Sequence, residues 1–269
     1  MNFGLVIIGD EILSGKRADK HLAKAIALLG ARGLTVAYAD YVGDAPQRIT
    51  ATLQRAFASG DGVFSFGGIG ATPDDHTRQC AAAASGVPLV LHPQARTLIL
   101  ERMRDVAQEQ GLPYEPDRSD NQHRLNMGVF PAGAAIIPNP YNKIPGFSCQ
   151  GAGGGAVHFV PGFPVMAWPM VEWVLDTQYA HLFVKDGWRE QSVVVFGAME
   201  ASLTPLMERI EASHPVKVFS LPSVDHPEFG RHIELGVKGL PAAVDAAYAD
   251  LHAALQALAL PLGPELVRS

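Results

Sequence analysis

Short apolar runs alternate with stretches of helical spacing through the first third of the chain, and this alternation most constrains the fold. The runs are too short for buried helices and are flanked by glycine or polar residues, which is typical of strands in a parallel sheet. Strands are predicted over residues 5–8, 34–41 and 63–66, and helices over 18–29, from Asp44 onward, and over about 75–84. This order predicts right-handed β-α-β units around a mostly parallel sheet covered on both faces, an α/β fold.

Three loops follow the three predicted strands, at residues 9–16, 42–47 and 67–75. The carboxyl ends of parallel strands share one edge of the sheet, and ligands of such sheets bind just beyond that edge. The loops are therefore predicted to lie together and to form a binding site.

The loop after the third strand reads Gly67-Gly-Ile-Gly-Ala-Thr-Pro-Asp-Asp-His-Thr77. Glycines let the backbone approach a ligand closely, and a helix N-terminus favours phosphate. Pro73 stands where a dinucleotide fingerprint needs its third glycine, and no Gly-Lys-Ser/Thr of a P-loop follows. The segment is thus either a phosphate loop of another kind or a plain strand–helix turn. Asp74 and Asp75 either cap the next helix or supply a ligand for Mg²⁺, which one or two carboxylates hold together with substrate phosphates.

The other two loops carry acids and hydroxyl groups. The first reads Gly9-Asp-Glu-Ile-Leu-Ser-Gly15, and its Asp10, Glu11 and Ser14 could contact a ribose, a phosphate or a cation. The alternative is a loop with merely solvated acids. Asp44, in the second loop, is by itself best explained as a helix N-cap.

The second half of the chain has a different pattern. Strands are predicted over residues 134–138 and 157–160 with a glycine-rich hairpin loop at 151–155, followed by a helix in which Pro169 lies near the first turn. The pattern changes around residues 185–187. Beyond it, strands at 192–196, 216–221 and 233–237 and helices at 202–210 and 242–258 predict a small α+β domain of β-α-β-β-α order. The predicted domains are residues 1–178 and 183–260, with a frayed tail at 261–269.

Composition excludes several classes of function. The net charge is −6 without a basic cluster, which argues against nucleic-acid binding. Two cysteines without CxxC spacing, Cys80 and Cys149, indicate a reducing compartment. The absence of an export signal or membrane-length apolar run predicts a cytoplasmic protein. The histidines form no zinc signature, and Ser14 has no identifiable triad partners.

Taken together, these motifs resemble the molybdopterin-binding domain, most closely its version in CinA-type competence/damage-inducible proteins. The matching segments are 9–15, Val42-Gly-Asp44, 67–75, Asn121-Gln122 and Pro131-Ala-Gly-Ala134, in the family's order over about residues 1–175. The resemblance implies a three-layer αβα domain of MoaB/MogA type, and the smaller domain resembles the second domain of CinA-type proteins. The amidase domain of long CinA proteins is not expected.

The resemblance also implies chemistry at a phosphoanhydride. Relatives include Mg²⁺-dependent molybdopterin adenylyltransferases and CinA-type domains that hydrolyse ADP-ribose with a divalent metal, here Mg²⁺, Mn²⁺ or Co²⁺. Asp44 and Asp75 match the acids linked to catalysis and are predicted as catalytic residues and metal ligands. The predicted residues for the pterin or nucleotide ligand are Gly9, Asp10, Glu11, Ser14, Gly15, Gly67, Gly68, Gly70, Thr72, Asp74 and Lys143. A homodimer is expected by the same resemblance.

Two segments depart from the family's pattern. Where the family has Asn-Pro-x-Gly-Thr/Ser-Ala-Pro-Gly-Phe, this chain has Asn142, Lys143 and Ile144 in place of the small residues. Met166 replaces the glutamate of Pro-Gly-x-Pro-x-Glu-Met. Lys143 could meet a phosphate as a point charge rather than a backbone cradle. Two hypotheses therefore stay open, a metal-dependent hydrolase or transferase and a protein that binds its ligand without turnover. A scaffold role of the small domain is the weaker third.

Overall fold

The computed structural model describes residues 1–184, 187 and 189–268, apart from the side chain of Asp120. The change of pattern predicted at 185–187 therefore lies largely outside the described residues. The chain separates into two compact units, Met1–Leu29 with Leu34–Phe183, and Gly30–Gly33 with the described part of Val184–Ser269. The domain boundaries proposed from the sequence stay predictions.

A six-stranded sheet forms the centre of the first unit, in the order β2-β1-β3-β8-β7-β6. Its strands are β1 (Phe3–Ile8), β2 (Val36–Val42), β3 (Gly62–Phe66), β6 (Ala135–Ile137), β7 (Gly146–Gln150) and β8 (Ala156–Val160). The pairs that join β2, β1, β3 and β8 are parallel, whereas β7 pairs antiparallel with both neighbours. A separate two-stranded sheet pairs β4 (Leu89–Leu91) with β5 (Val129–Pro131). The predicted α/β fold with a mostly parallel sheet is confirmed.

The helices of the first unit are α1 (Asp10–Leu13), α2 (His21–Gly30), α3 (Pro46–Ala58), α4 (Thr77–Ser85), α5 (Pro93–Glu109), α6 (Ser119–Leu125) and α7 (Pro164–Gln178). Helices α3 and α4 pack on one face of this sheet, and α2 and α7 on the other. Proline stands at the first position of α3, α5 and α7, where its fixed φ suits the helix and its missing N–H is not needed.

The two faces of the sheet carry separate hydrophobic cores. Alternate side chains of β1 point to opposite faces of the sheet. Leu5 and Ile7 lie in one core, and Val6 and Ile8 lie in the other. The α3 face includes stacked rings, with Phe147 and Phe159 centred 4.5 Å apart. Burial on both faces is why these strands read as continuous apolar runs rather than alternating ones.

Several local predictions for the first unit are wrong. Residues 10–13 form α1 rather than an irregular loop. The glycine-rich hairpin loop at 151–155 joins β7 to β8, and β7 was not predicted as a strand. Pro169 lies inside α7, beyond its first turn, because the helix already begins at Pro164. Residues 87–133, for which no element was predicted, contain β4, α5, α6 and β5.

The second unit is an antiparallel sheet of order β10-β11-β9-β12 with two helices. Its elements are β9 (Arg189–Val195), α8 (Glu200–Ser213), β10 (Lys217–His226), β11 (Gly230–Gly239), α9 (Pro241–Ala257) and β12 (Leu262–Arg268). Val193, Leu235, Leu203 and Leu251 lie in its core. The β-α-β-β-α-β order is that of the split β-α-β arrangement.

The tail predicted at 261–269 is wrong over most of its length. Residues of β12 pair with β9, and the guanidinium of Arg268 bonds the carboxylate of Glu234. Pairing with β12 also covers the edge of β9, which would otherwise be left unpaired. In the described part of the chain, no helix is both long and apolar enough to cross a membrane.

Candidate functional site

A cavity of about 420 Å³ lies at the carboxyl edge of the large sheet. It is bordered by residues that follow β1, β2, β3 and β8, which is where open α/β sheets bind their ligands. The predicted site residues that line it are Gly9, Glu11, Asp44, Gly67, Gly68, Gly70, Thr72, Asp74 and Asp75. The three loops predicted to converge do converge.

The glycine loop after β3 is fixed at both ends. The Gly67 N–H donates to the carbonyl of Val160 on β8 over 3.0 Å. Thr77, the first residue of α4, donates its hydroxyl to Gly67 O and its N–H to Gly68 O, each over 3.0 Å. Gly67 has φ 98°, and a Cβ there would lie 2.5 Å from the carbonyl oxygen of Ile8. Only glycine fits this position, so the backbone itself forms the cavity wall.

Asp75 closes the far end of that loop. Its Oδ2 accepts the Thr72 hydroxyl over 2.5 Å and the Thr72 N–H over 2.8 Å. The helix predicted from residue 75 instead begins at Thr77, with His76 as its N-cap. Capping by Asp74 or Asp75 is therefore wrong. The carboxylate of Asp75 organises the turn before the helix and lines the cavity.

Asp44 and Asp10 bind each other's backbone. Asp10 N–H donates to Asp44 Oδ2 over 2.9 Å, and Asp44 N–H donates to Asp10 Oδ1 over 3.2 Å. The N-cap of α3 is Ala45, so Asp44 is not the helix cap that was predicted. The carboxylate of Asp44 instead joins two loops, because it accepts the N–H of Asp10. Partial burial raises the pKa of Asp44, and the negative charges of Asp10, Glu11 and Asp74 raise it further.

Four predicted site residues do not line the cavity. Asp10 lies outside the lining and is hydrogen-bonded to Asp44, while Ser14 and Gly15 follow α1 outside the lining. Lys143 Nζ lies 2.6 Å from Asp105 Oδ2 and 3.9 Å from Glu101 Oε2 on α5. Lys143 is therefore ion-paired away from the predicted phosphate site.

Other lining residues were not predicted as site residues. Arg17 brings a positive charge to the cavity, and Phe163 brings an aromatic ring that is 57% exposed. Asn139, Asn142 and Met166 line the cavity as well. Asn142 and Met166 mark departures from the family pattern, which was the signal available in the sequence. Arg17 follows a polar loop and carries no such signal.

The model of the family described as "Probable molybdopterin binding domain" matches residues 4–181, which include every loop around the cavity. The chain belongs to the molybdopterin-binding domain family. A CinA-like protein of Anaeromyxobacter dehalogenans (strain 2CP-C) is 33% identical over 183 residues, 68% of this chain and 42% of that protein. A protein of Pyrobaculum calidifontis is 28% identical over 233 residues, 85% of each chain.

A solved structure of a CinA protein has a similar fold. The protein CinA of unknown function from Thermoplasma acidophilum is 26% identical, with a TM-score of 0.54 over 65% of this chain and 96% of that one. The chain spans less than half the length of the Anaeromyxobacter relative. The resemblance to CinA-type proteins is confirmed, and the activity and partners of those longer proteins are not carried over.

The acids at the cavity can be tested against the donor set of a divalent cation. The described residues contain no group of three or more His, Cys, Asp or Glu side chains arranged to hold a metal ion. Asp44 and Asp75 each use one carboxylate oxygen, Oδ2, on a backbone N–H. The described side chains therefore form no metal cage built from protein alone, and a cation here would also need oxygen ligands from a bound phosphate.

Proposed function

We propose that this cavity binds a phosphate-bearing pterin or nucleotide and that the protein acts on the ligand's phosphoanhydride with a divalent cation. The observation that carries the proposal is the meeting of a glycine loop and two aspartates, Asp44 and Asp75, in one cavity. The backbone amides of a glycine loop favour phosphate oxygens, and carboxylates favour the cation that accompanies them.

Each side of the cavity has its own part in this proposal. Gly67, Gly68 and Gly70 allow the phosphates to lie against the backbone, and Arg17 adds a positive charge. Asp44 and Asp75 would hold the cation, which when bound neutralises charge on the leaving phosphate and lowers the pKa of a bound water. The raised pKa of Asp44 supports this part, because burial and the nearby acids both disfavour its ionised form, and a bound cation would offset them.

Turnover of defined phosphoanhydrides tests the proposal. Purified protein is incubated with ADP-ribose, FAD, ATP or GTP and with Mg²⁺, Mn²⁺ or Co²⁺, and products are separated by chromatography. We expect metal-dependent cleavage or transfer that falls on Asp75→Ala and Asp44→Ala. Asp105→Ala is the matched control, because that acid pairs with Lys143 away from the cavity. Absence of product with every substrate and metal would exclude the enzymatic function.

A second function, ligand binding without turnover, is favoured by a specific contact. The carboxylate of Asp75 already accepts two bonds from Thr72, and Met166 stands where the family pattern has an acid. Calorimetry with the same compounds separates the two functions. Saturable binding from which the intact ligand is recovered favours a binding protein, whereas product formation excludes it. The homodimer and the cytoplasmic location stay predictions.

A further inference from the structure

A network of asparagine amides fixes the part of the cavity wall that contains Asn139, Asn142 and Ile144. Asn139 is 5% exposed, and its Oδ1 accepts the Tyr141 N–H over 3.0 Å. Its Nδ2 donates to Ile144 O over 2.9 Å and to Asn142 Oδ1 over 2.8 Å. The Ile144 N–H donates to Asn142 Oδ1 as well, over 3.0 Å. Backbone N–H groups can only donate, so these bonds set the orientation of both amides.

The amide oxygen of Asn142 is fully used by this network. It has two lone pairs and accepts two bonds, one from Asn139 and one from Ile144. The amide nitrogen of Asn142, in contrast, makes only a weak hydrogen bond, because its partner is the thioether sulfur of Met166 at 3.3 Å. A thioether is a weak acceptor. Asn142 therefore offers a donor to the cavity and no acceptor.

The neighbouring groups suit a planar ring. Phe163 lines the same cavity with an exposed face, and Ile144, Met127 and Met166 supply apolar surface beside it. Aromatic faces stack on heteroaromatic rings of any kind, so they bind a ring without reading its edge. A polar side chain of the cavity is needed to form hydrogen bonds with the edge of the ring. Asn142 can do so, because its amide is held in one orientation.

We propose that Asn142 is a specificity-determining residue that selects a ring with an oxo edge, such as a 6-oxopurine or a 4-oxopteridine, over an amino-substituted ring such as adenine. Free asparagine reads adenine with both amide groups, accepting from the exocyclic amine while donating to a ring nitrogen. Only half of that mode stays open here, since the oxygen of Asn142 is occupied and the exocyclic amine of adenine would be left without an acceptor. A ring carbonyl, in contrast, takes the donated N–H, is a stronger acceptor than the sulfur of Met166, and leaves no amine unpaired at that edge.

This inference rests on the proposed function, since it names the ring of the ligand whose phosphates lie at the glycine loop. Adenosine diphosphate and inosine diphosphate are suitable probes because their phosphates are identical and their rings differ at position 6, an amine against an oxygen, and in the hydrogen that N1 of the oxopurine carries. We expect inosine diphosphate to bind about tenfold more tightly, the cost of leaving one amine unpaired. A third probe, neopterin monophosphate, shows whether the oxo ring comes from a pteridine or a purine.

The decisive variant is Asn142→Asp. One carboxylate oxygen keeps the bonds from Asn139 and Ile144, and the other replaces the donor by an acceptor of the same shape. We expect the preference to reverse toward adenosine diphosphate. The added charge weakens both probes together, so the ratio of the two dissociation constants is the readout. Asn126→Asp is the matched control, because Asn126 is exposed and does not line this cavity, and its ratio should stay at the parent value.

Met166→Glu gives a second route if Asn142→Asp does not fold. A glutamate there would take the amide hydrogen of Asn142 and should abolish the preference for inosine diphosphate. Equal binding of the two diphosphates by the parent protein, or a ratio unchanged in both cavity variants, would overturn the inference and leave the proposed function intact. Failure of all three probes to bind would overturn the proposed function, and the inference with it.

Discussion

The hydroxyl and the backbone N–H of Thr72 both donate to one carboxylate oxygen of Asp75, over 2.5 and 2.8 Å. The acid proposed to hold a cation is thus also the group that shapes the turn before α4. Charge and shape can be separated here, because an amide oxygen accepts the same two bonds without carrying a charge.

In the Asp75→Asn variant we expect the turn at Thr72 to be retained and the binding of the cation to be lost. We expect its unfolding free energy to stay within about 1 kcal/mol of the parent, as the two hydrogen bonds remain. Turnover should fall at least about tenfold, equivalent to ~1.4 kcal/mol in the barrier. Asp75→Ala loses both properties and should also lower the melting temperature. Parent-like turnover by Asp75→Asn would limit the carboxylate to a structural role. Urea unfolding and steady-state rates provide the measurements.

The glycine loop makes a prediction about stability. Gly67→Ala brings a Cβ to 2.5 Å from a backbone oxygen at φ 98°, and should destabilise the protein by ~3 kcal/mol. Gly15 is the matched control, because it also has a positive φ, 72°, but no described atom beyond Gly15 and its two chain neighbours lies within 4 Å of the point where its Cβ would stand. Gly15→Ala should therefore cost only the backbone strain, ~1 kcal/mol. Equal melting temperatures for the two variants would contradict the close approach at Gly67.

The sheet and its loops could be predicted because local pattern determines them. Apolar runs such as that of β1 are buried on both faces, and their following loops must share the carboxyl edge. This placed Asp44, Gly67 and Asp75 together from the sequence alone. The role of each acid could not be predicted, because Asp44 bonds Asp10 across 34 residues of chain. A helix cap has the same local sequence as such a cross-loop contact.

The errors have physical causes too. Strand β12 contains Gly263 and Pro264 and shows no alternation of apolar residues, so only its partner β9 determines it. Lys143 looked like a phosphate ligand because a lysine in a binding loop is locally indistinguishable from one paired elsewhere. Its partners lie on α5, a helix that was not predicted. The amide network around Asn142 likewise depends on side-chain orientation, which sequence pattern does not contain.

A buried histidine predicts acid sensitivity. His158 is fully buried between Ser148 Oγ at 2.8 Å and Tyr179 OH at 2.7 Å, and burial lowers its pKa to about 3. The unfolded chain binds this proton near pH 6.5, so between these values the unfolded state holds more protons and stability falls as the pH falls. His158 should contribute a loss of ~2 kcal/mol between pH 7 and pH 5.

Two measurements check this pH dependence. Urea unfolding at pH 5, 6 and 7 gives the loss of stability, to which His21 adds in the same direction because burial lowers its pKa as well. Ring proton shifts in NMR isolate His158, which should remain neutral at pH 5. Protonation of His158 near pH 6 in the folded protein would contradict the prediction.

The last prediction concerns Arg78, a residue of α4 whose side chain is hydrogen-bonded to the glycine loop. Its side chain is 5% exposed, and Nη2 donates to Gly70 O over 2.6 Å. Its Nε has no hydrogen-bond partner among the residues described, and burial lowers its pKa while the charge of Asp75 opposes that shift. A buried guanidinium satisfied this incompletely contributes little net stability. We expect Arg78 to hold Gly70 and the adjoining turn in the position that binds the ligand.

Arg78→Met should therefore weaken ligand binding more than folding. We expect the unfolding free energy to change by no more than ~1 kcal/mol, because the lost bond is offset by the removal of a buried charge. Affinity for inosine diphosphate should fall about tenfold, and the amides of residues 68–72 should exchange faster with deuterium. Arg78→Lys should recover part of the affinity, since an ammonium can still reach a carbonyl but lacks the planar fork. Arg96→Met, which removes an exposed arginine on α5, is the control. Unchanged affinity and exchange in Arg78→Met would mean that the loop keeps its shape through Thr77 and Asp75 alone.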